Sequence, residues 1–234
     1  MTARGTRLAA WGMACALACT LSLPAALQAA PTAGVSGVGD GSQTAPASQV
    51  SQQALLAQVR ERVQSAPVVR GQFTQLKTVQ GFRQPLKSSG DFVVARGKGI
   101  AWQVRQPFAS TLIVRPDSLL SRGADGSTAV QMRAQDEPVL RTINAMLFAV
   151  VSADLAQLTH YFEVSGQVQG AGWRLHLVPR DPVLAQWLQA VDLSGQQFVQ
   201  SVQLQEARGD RSQIQMANPV AEQALRAQDA ALFD

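Results

Sequence analysis

Cysteine is nearly absent from this chain, since the 234 residues include only Cys15 and Cys19. Both lie in an apolar run from Leu8 to Leu23 that follows Arg4 and Arg7. A basic start before a short apolar run is typical of a secretory signal peptide, which is removed on export. The exported chain would contain no thiol, which excludes a disulfide, a thiolate nucleophile and a cysteine-bound metal.

Long hydrophobic runs are also missing. We expect residues 1–30 to form the signal peptide, with cleavage after Ala29 or Ala30. The first run is too short and too rich in alanine for a membrane span, and no later segment approaches the ~20 apolar residues that a span needs. Ala16–Cys19 faintly resembles a lipoprotein processing site, but Leu17 lies one place too close to the cysteine. We therefore expect a soluble periplasmic protein that does not span a membrane.

Neither sign of charge is in large excess. The formal net charge is +4, and it falls by two when Arg4 and Arg7 leave with the signal peptide. The remaining charges are scattered, so no basic stripe is present to follow a phosphate backbone. We expect no nucleic acid partner.

Residues that carry catalysis are few. The only histidines are His160 and His176, and neither an HExxH nor a Gly-x-Ser-x-Gly motif occurs. Asp136 and Glu137 are adjacent and would point apart on a strand, which argues against a catalytic carboxylate pair. We expect no enzyme activity, no metal site and no cofactor.

The chain divides into three parts. Residues 31–50 are mostly Gly, Ser, Ala, Pro and Thr, which cannot bury enough surface to fold, so we expect a disordered linker. Residues 51–234 are expected to form one domain. It begins with a helix whose apolar face carries four residues at helical spacing: Leu55, Leu56, Val59 and Val63.

Beyond this helix the apolar pattern changes to period two. Alternation of this kind predicts strands with one apolar face, as in antiparallel sheets with one side in water. We therefore predict an α+β fold built on an antiparallel sheet. The predicted strands lie near residues 68–79, 90–96, 100–106, 110–115, 128–133, 162–168, 173–177, 198–204 and 214–216.

The segment Gly90–Pro107 predicts a β-hairpin with one almost wholly apolar face. With Gly97–Gly99 as the loop, Arg96 lies opposite Ile100, and Val94 and Phe92 lie opposite Trp102 and Val104. Arg96 then stands at the edge of the apolar face. Such a face suits a ligand with hydrocarbon chains and a polar head, and it equally suits a core edged by an arginine, so both interpretations stay open.

Two helices are predicted between the strands. Residues 139–151 are apolar nearly all round, and a further turn is expected from Ser152. Asp181-Pro182 predicts the start of a short helix that carries Leu184, Trp187 and Leu188. Helices this apolar most simply cover the apolar side of the sheet. The longer one supplies the candidate lid residues Ile143, Met146, Leu147 and Val150.

Several motifs resemble the LolA-type family of periplasmic outer-membrane lipoprotein carriers. They are Phe73-Thr74-Gln75, Gly90-Asp91-Phe92, the spacing from Arg96 to Trp102, and Gln106-Pro107. The resemblance implies an incomplete antiparallel β-barrel, a strongly curved sheet whose apolar concave face is covered by helices. It also implies a monomer that takes lipoprotein or lipid cargo from an inner-membrane donor to an outer-membrane acceptor.

The same resemblance suggests roles for individual residues. Arg96 matches the family's arginine before the loop, which latches the covering helices. The acyl chains would lie against the apolar side chains Phe73, Phe92, Val94, Ile100, Trp102, Val104, Leu112 and Val114.

Two other functions remain open at this stage. A periplasmic lipid-binding sensor could use the same fold, although such a sensor would usually carry a second domain, and the chain is expected to have none after residue 234. A structural partner in an envelope assembly would use residues 139–151 as a docking surface instead of a lid. Lipid bound to the purified protein would separate the first two functions from the third.

Overall fold

A single antiparallel sheet of eleven strands dominates the part of the chain that the structure describes. The structure is a computed structural model, and it describes residues 45–133, 135–136, 144–145, 148–149 and 154–233. In chain order the strands are β1 (Val68–Thr78), β2 (Leu86–Ala95), β3 (Gly99–Gln106), β4 (Ser110–Val114), β5 (Ser118–Gly123), β6 (Thr128–Arg133), β7 (Phe162–Gln169), β8 (Gly172–Pro179), β9 (Leu188–Gly195), β10 (Val199–Glu206) and β11 (Arg211–Glu222).

The order of strands in the sheet is β6-β5-β4-β3-β2-β1-β11-β10-β9-β8-β7. Every pairing joins neighbours in sequence except that of β1 with β11, which connects two meanders into one sheet. Within the described residues no strand pairs with the outer edge of β6 or of β7, so the sheet is not closed. This confirms the predicted fold class, α+β with an incomplete antiparallel barrel.

The concave face of the sheet carries the main hydrophobic core. Strands of both meanders contribute alternate residues to it, among them Phe92, Leu112, Leu177 and Ile214. This is the face that the period-two pattern predicts. The core is therefore continuous from one meander to the other.

Four helices lie wholly within the described residues: α1 (Ala45–Arg62), α2 (Leu155–Tyr161), the one-turn α3 (Pro182–Ala185) and α4 (Ala227–Ala230). Val59 of α1 and Leu155 and Leu158 of α2 are buried in the concave core, so both helices cover that face. Arg62 holds α1 across the second meander, because its Nε donates a hydrogen bond to the carbonyl of Gly170 at 3.1 Å. None of the helices in the described ranges is long and apolar enough to cross a membrane.

The helix boundaries differ in places from the sequence prediction. Helix α1 begins at Ala45, inside the predicted linker, because its first turns are rich in the good helix formers alanine and glutamine and accommodate Pro46. Asp154, not Ser152, caps α2, since its Oδ1 accepts a hydrogen bond from the backbone N–H of Gln157 at 3.3 Å. Helix α3 ends before Leu188, which lies in β9. Residues 1–44, which include the predicted signal peptide, lie outside the described residues.

The β2–β3 hairpin forms with a register two residues away from the predicted one. Phe92 pairs with Trp102 and Val94 with Ile100, so Arg96 belongs to the loop instead of the strand. A turn causes the shift: the N–H of Lys98 donates to the carbonyl of Ala95 at 3.1 Å, and Gly97 takes the positive φ of 75° that a type II turn needs. A shift of two residues keeps each side chain on the same face, so the predicted apolar face survives.

The convex face is also buried over the first strands, although the alternation predicted that it faces water. Leu225, Leu232 and Phe233 pack there on a cluster that includes Val93 and Ala101. The C-terminal segment 223–233 thus shields the outside of the sheet with apolar side chains.

Ion pairs fix this segment. Arg70 bonds Glu222 at 2.9 Å and also pairs with Asp229, and Arg226 bonds the same Glu222. Burial alone would raise the pKa of Glu222, but the hydrogen bonds and charges of Arg226 and Arg70 outweigh it and hold the pKa below its ordinary value.

Candidate functional site

A cavity of about 490 Å³ lies between the concave face, the end of α1 and the start of α2. Its size falls within the range of roughly 300–1,000 Å³ that is usual for small-molecule sites. The cavity floor consists of buried apolar side chains: Phe92, Val94, Leu155, Val199 and Met216. The cavity rim consists of exposed polar residues: Arg60, Gln64, Ser65, Arg96 and Asp154.

The pairing of β1 with β11 assembles the floor. It places Phe73 beside Met216, and β2 continues the same face on the other side of β1 with Phe92 and Val94. Residues that are more than 120 positions apart in sequence therefore line one cavity. The turn between β9 and β10 adds Phe198 to the lining.

A stack of three aromatic rings supports the floor. The ring of Trp102 lies beside that of Phe92, with centroids 6.1 Å apart and planes inclined by 25°, and it also stacks on Phe73. All three side chains are almost fully buried. The stack gives Phe92 a fixed position from which it reaches the cavity.

Arg96 stands on the rim at the tip of the β2–β3 hairpin. Its Nη2 donates a hydrogen bond to the hydroxyl of Ser65 at 2.6 Å, and its backbone N–H donates to the carbonyl of Pro67 at 2.9 Å. The hairpin tip is therefore tied to the connection between α1 and β1. The guanidinium itself is exposed, so it is placed to meet a group that enters the cavity.

The four predicted lid residues, Ile143, Met146, Leu147 and Val150, lie outside the described residues. Their described neighbours cover the concave face: Phe148 lines the cavity, and Ala149 is fully buried in the concave core. Asn144 fastens this part of the chain to the β4–β5 turn, because its Nδ2 donates to the carbonyls of Arg115 at 2.7 Å and Ser118 at 3.1 Å.

The predicted lipid-binding residues all reach the concave core, but they do not all reach the cavity. Phe92 and Val94 line it. Val104 is half-buried and packs against the core. The others are buried in the core without lining the cavity: Phe73, Ile100, Trp102, Leu112 and Val114.

Most of the cavity lining was not predicted from the sequence, which indicated only Phe92, Val94 and Arg96. Met216 and Val199 lie in predicted strands, but nothing in their spacing pointed to the pairing of β11 with β1 that brings the two meanders together. Arg60 lies on the exposed side of α1 and gave no signal. The alternation in β10 and β11 was the one available sign that these strands share the floor's face.

The lining suits binding better than catalysis. Asp154 is the only acid among the lining residues that the structure describes, and its carboxylate caps α2. The two cations, Arg60 and Arg96, stand at the rim above apolar side chains. An apolar floor below a cationic rim binds amphiphilic molecules by burying the chain and leaving the head near water.

Comparison with known proteins places the chain in a family. Among solved structures, a LolA superfamily protein from Nitrosomonas europaea is 9% identical, with a TM-score of 0.45 and coverage of 78% of this chain and 97% of that chain. An outer membrane lipoprotein-sorting protein domain from Vibrio parahaemolyticus is 7% identical, with a TM-score of 0.43 and coverage of 76% and 96%. No curated protein matches the chain. The family model of the outer membrane lipoprotein carrier protein LolA matches residues 64–233, and the protein therefore belongs to the LolA family.

Proposed function

We propose that this protein is a periplasmic carrier that binds the acyl chains of a lipoprotein or a related lipid and delivers them toward the outer membrane. One observation carries the proposal: an apolar cavity of about 490 Å³ on the concave face, open at an exposed polar rim. The family model supports lipid as cargo and a location outside the cytoplasm. An inner-membrane donor and an outer-membrane acceptor are the partners that such a route needs.

The energetics favour a carrier whose empty form must widen before cargo enters. Burial of an acyl chain contributes ~0.8 kcal/mol per methylene, so one long chain contributes on the order of 10 kcal/mol. Cargo held that firmly would not leave in useful time unless another cost offset part of the gain. Contacts at the cavity rim between the covering helices and the sheet would supply this cost, because some of them break when the cavity widens.

Arg96 is the residue that we propose as the latch of the empty form. Its hydrogen bond to Ser65 ties the hairpin tip to the connection between α1 and β1, where the cavity opens. Cargo binding would break that bond, and this cost would lower the affinity for cargo and thereby permit delivery.

A cavity-filling variant tests the proposal. The protein is loaded with the fluorescent fatty acid cis-parinaric acid and mixed with vesicles of phosphatidylethanolamine and phosphatidylglycerol. The wild type should bind the probe with saturation and pass it to the vesicles. Val94→Phe should bind it at least tenfold more weakly, because the added ring occupies the cavity. Val178→Phe, on a 40% exposed residue of β8, is the matched control and should behave as the wild type does.

Two results would overturn the carrier. If Val94→Phe and Val199→Phe bind the probe as tightly as the wild type does, and circular dichroism shows that each is folded, the cavity is not the binding site. Probe that binds in the cavity but never moves to vesicles would favour the lipid-binding sensor instead.

A further inference from the structure

The cavity has room for a long acyl chain. A methylene group occupies about the volume that water has in the liquid, roughly 30 Å³, so a chain of about sixteen carbons needs roughly 480 Å³. The cavity of about 490 Å³ accommodates at least one such chain.

The rim above the cavity carries an excess of positive charge. Arg60 and Arg96 are both exposed, and the only acid on the described rim is Asp154. Asp154 is occupied as the cap of α2, where it accepts the hydrogen bond from Gln157. Arg96 uses Nη2 for Ser65, and its planar group has further N–H donors to offer.

From these two observations we infer that the preferred cargo is an amphiphile with an anionic head, a carboxylate or a phosphate, which Arg60 and Arg96 contact at the rim while its acyl chain lies in the cavity. This inference rests on the proposed function and narrows its substrate class. The chain supplies most of the affinity through burial, and the two cations select the head.

The expected selectivity is modest because both arginines are exposed. An ion pair in water contributes little, so each arginine should favour an anionic over a neutral head by roughly threefold, and the pair by about tenfold. The preference should shrink as salt is added, since mobile ions screen exposed charges.

Calorimetric titration with ligands that share one chain tests the inference. Laurate and dodecyl phosphate carry anionic heads, dodecanol is neutral, and dodecyltrimethylammonium is cationic. Acetate and inorganic phosphate are the same anions without the chain. For the wild type we expect about tenfold tighter binding of both anionic amphiphiles than of dodecanol, still weaker binding of the cation, and no measurable binding of the free anions.

The variants locate the selectivity. In the double variant Arg60→Gln/Arg96→Gln the ratio of laurate to dodecanol affinity should fall to near one, and dodecanol itself should bind more tightly because the hydrogen bond of Arg96 to Ser65 is lost. Arg174→Gln removes the same type of charge from the outside of β8 and should leave the ratio unchanged.

Each contrary outcome has a distinct meaning. Dodecanol that binds the wild type as tightly as laurate would overturn the inference and leave the carrier standing. An equal loss of preference in Arg174→Gln would also overturn it, because the effect would then come from net charge. Failure of every amphiphile to bind would overturn the proposed function, and the inference with it.

Discussion

The indole ring of Trp102 stacks on the phenyl ring of Phe73, with centroids 3.9 Å apart and planes inclined by 27°. Phe73 lies in β1 and Trp102 in β3, so the contact reaches across β2 under the cavity floor. Because β1 also pairs with β11, this stack lies where the two meanders meet.

Truncation of Trp102 should therefore cost much of the stability. Trp102→Ala removes a buried ring and leaves a void, so we expect the free energy of unfolding to fall by about 3–5 kcal/mol. Urea denaturation followed by circular dichroism measures it. Phe82→Ala is the control, since Phe82 is 63% exposed and its loss should change the free energy by less than about 0.5 kcal/mol. If Trp102→Ala lowers the free energy of unfolding as little as Phe82→Ala does, the stack does not stabilise the sheet.

Arg96 should control delivery more than folding. In Arg96→Leu the proposed latch bond to Ser65 is lost and the rim becomes apolar. We expect this to outweigh the lost contact with an anionic head, so that cargo is held more tightly and passes to acceptor vesicles more slowly. Arg96→Lys keeps the charge but loses the planar set of donors, so a latch should be impaired by it as well. The free energy of unfolding of both variants should lie within about 1 kcal/mol of the wild-type value.

The readout is the transfer rate of a preloaded fluorescent fatty acid, with Arg174→Gln as the control. Normal transfer by Arg96→Leu would remove Arg96 from the mechanism. If Arg96→Lys transfers normally while Arg96→Leu does not, transfer requires a positive charge at this position and not the planar set of donors of a latch.

The C-terminal segment should loosen in acid. The pKa of Glu222 is held below its ordinary value, so its contribution to stability is complete above that value, about 4.3, and is lost as pH falls through the lowered pKa. Glu222→Gln should therefore lower the melting temperature at neutral pH and flatten its fall in acid. Melting curves between neutral pH and about pH 3 test this. Glu163→Gln removes an exposed carboxylate from β7 and should keep the wild-type slope.

Export should remove the N-terminal segment. Arg4, Arg7 and the apolar run that follows predict a signal peptide, so the intact mass of periplasmic protein should match a chain that starts at Ala30 or Pro31. No acyl group should be attached and no disulfide formed. A full-length or lipidated protein in the periplasmic fraction would contradict the assignment.

The sequence predicted which face of a strand each side chain occupies better than it predicted how the strands pair. The alternation in Phe92–Val94 and Ile100–Trp102 correctly placed their side chains on one face, because the side-chain period of a strand does not depend on what pairs with it. The loop register was wrong because Gly97 and Gly99 allow more than one turn, and the choice depends on the bonds of Ala95 and Lys98.

Long-range pairing was the main thing that the sequence could not supply. The contact of β1 with β11 brings Met216 to Phe73, and no local pattern encodes a partner so far along the chain. The convex face was misjudged for a related reason, since Val93 reads as a solvent-facing residue until the C-terminal segment covers it. Strand β5 was overlooked because the pattern of Ser118–Gly123 is short and buried on both faces near Leu119 and Leu120.

Mass spectrometry of lipid that copurifies with the protein from the periplasm tests the proposed carrier function most directly. The wild type and Val178→Phe should carry an acyl lipid at close to one molecule per protein, and Val94→Phe, with its cavity filled, should carry much less. The protein would not be a lipid carrier if the wild type held no more lipid than an unrelated periplasmic protein purified alongside it, or if Val94→Phe held as much as the wild type.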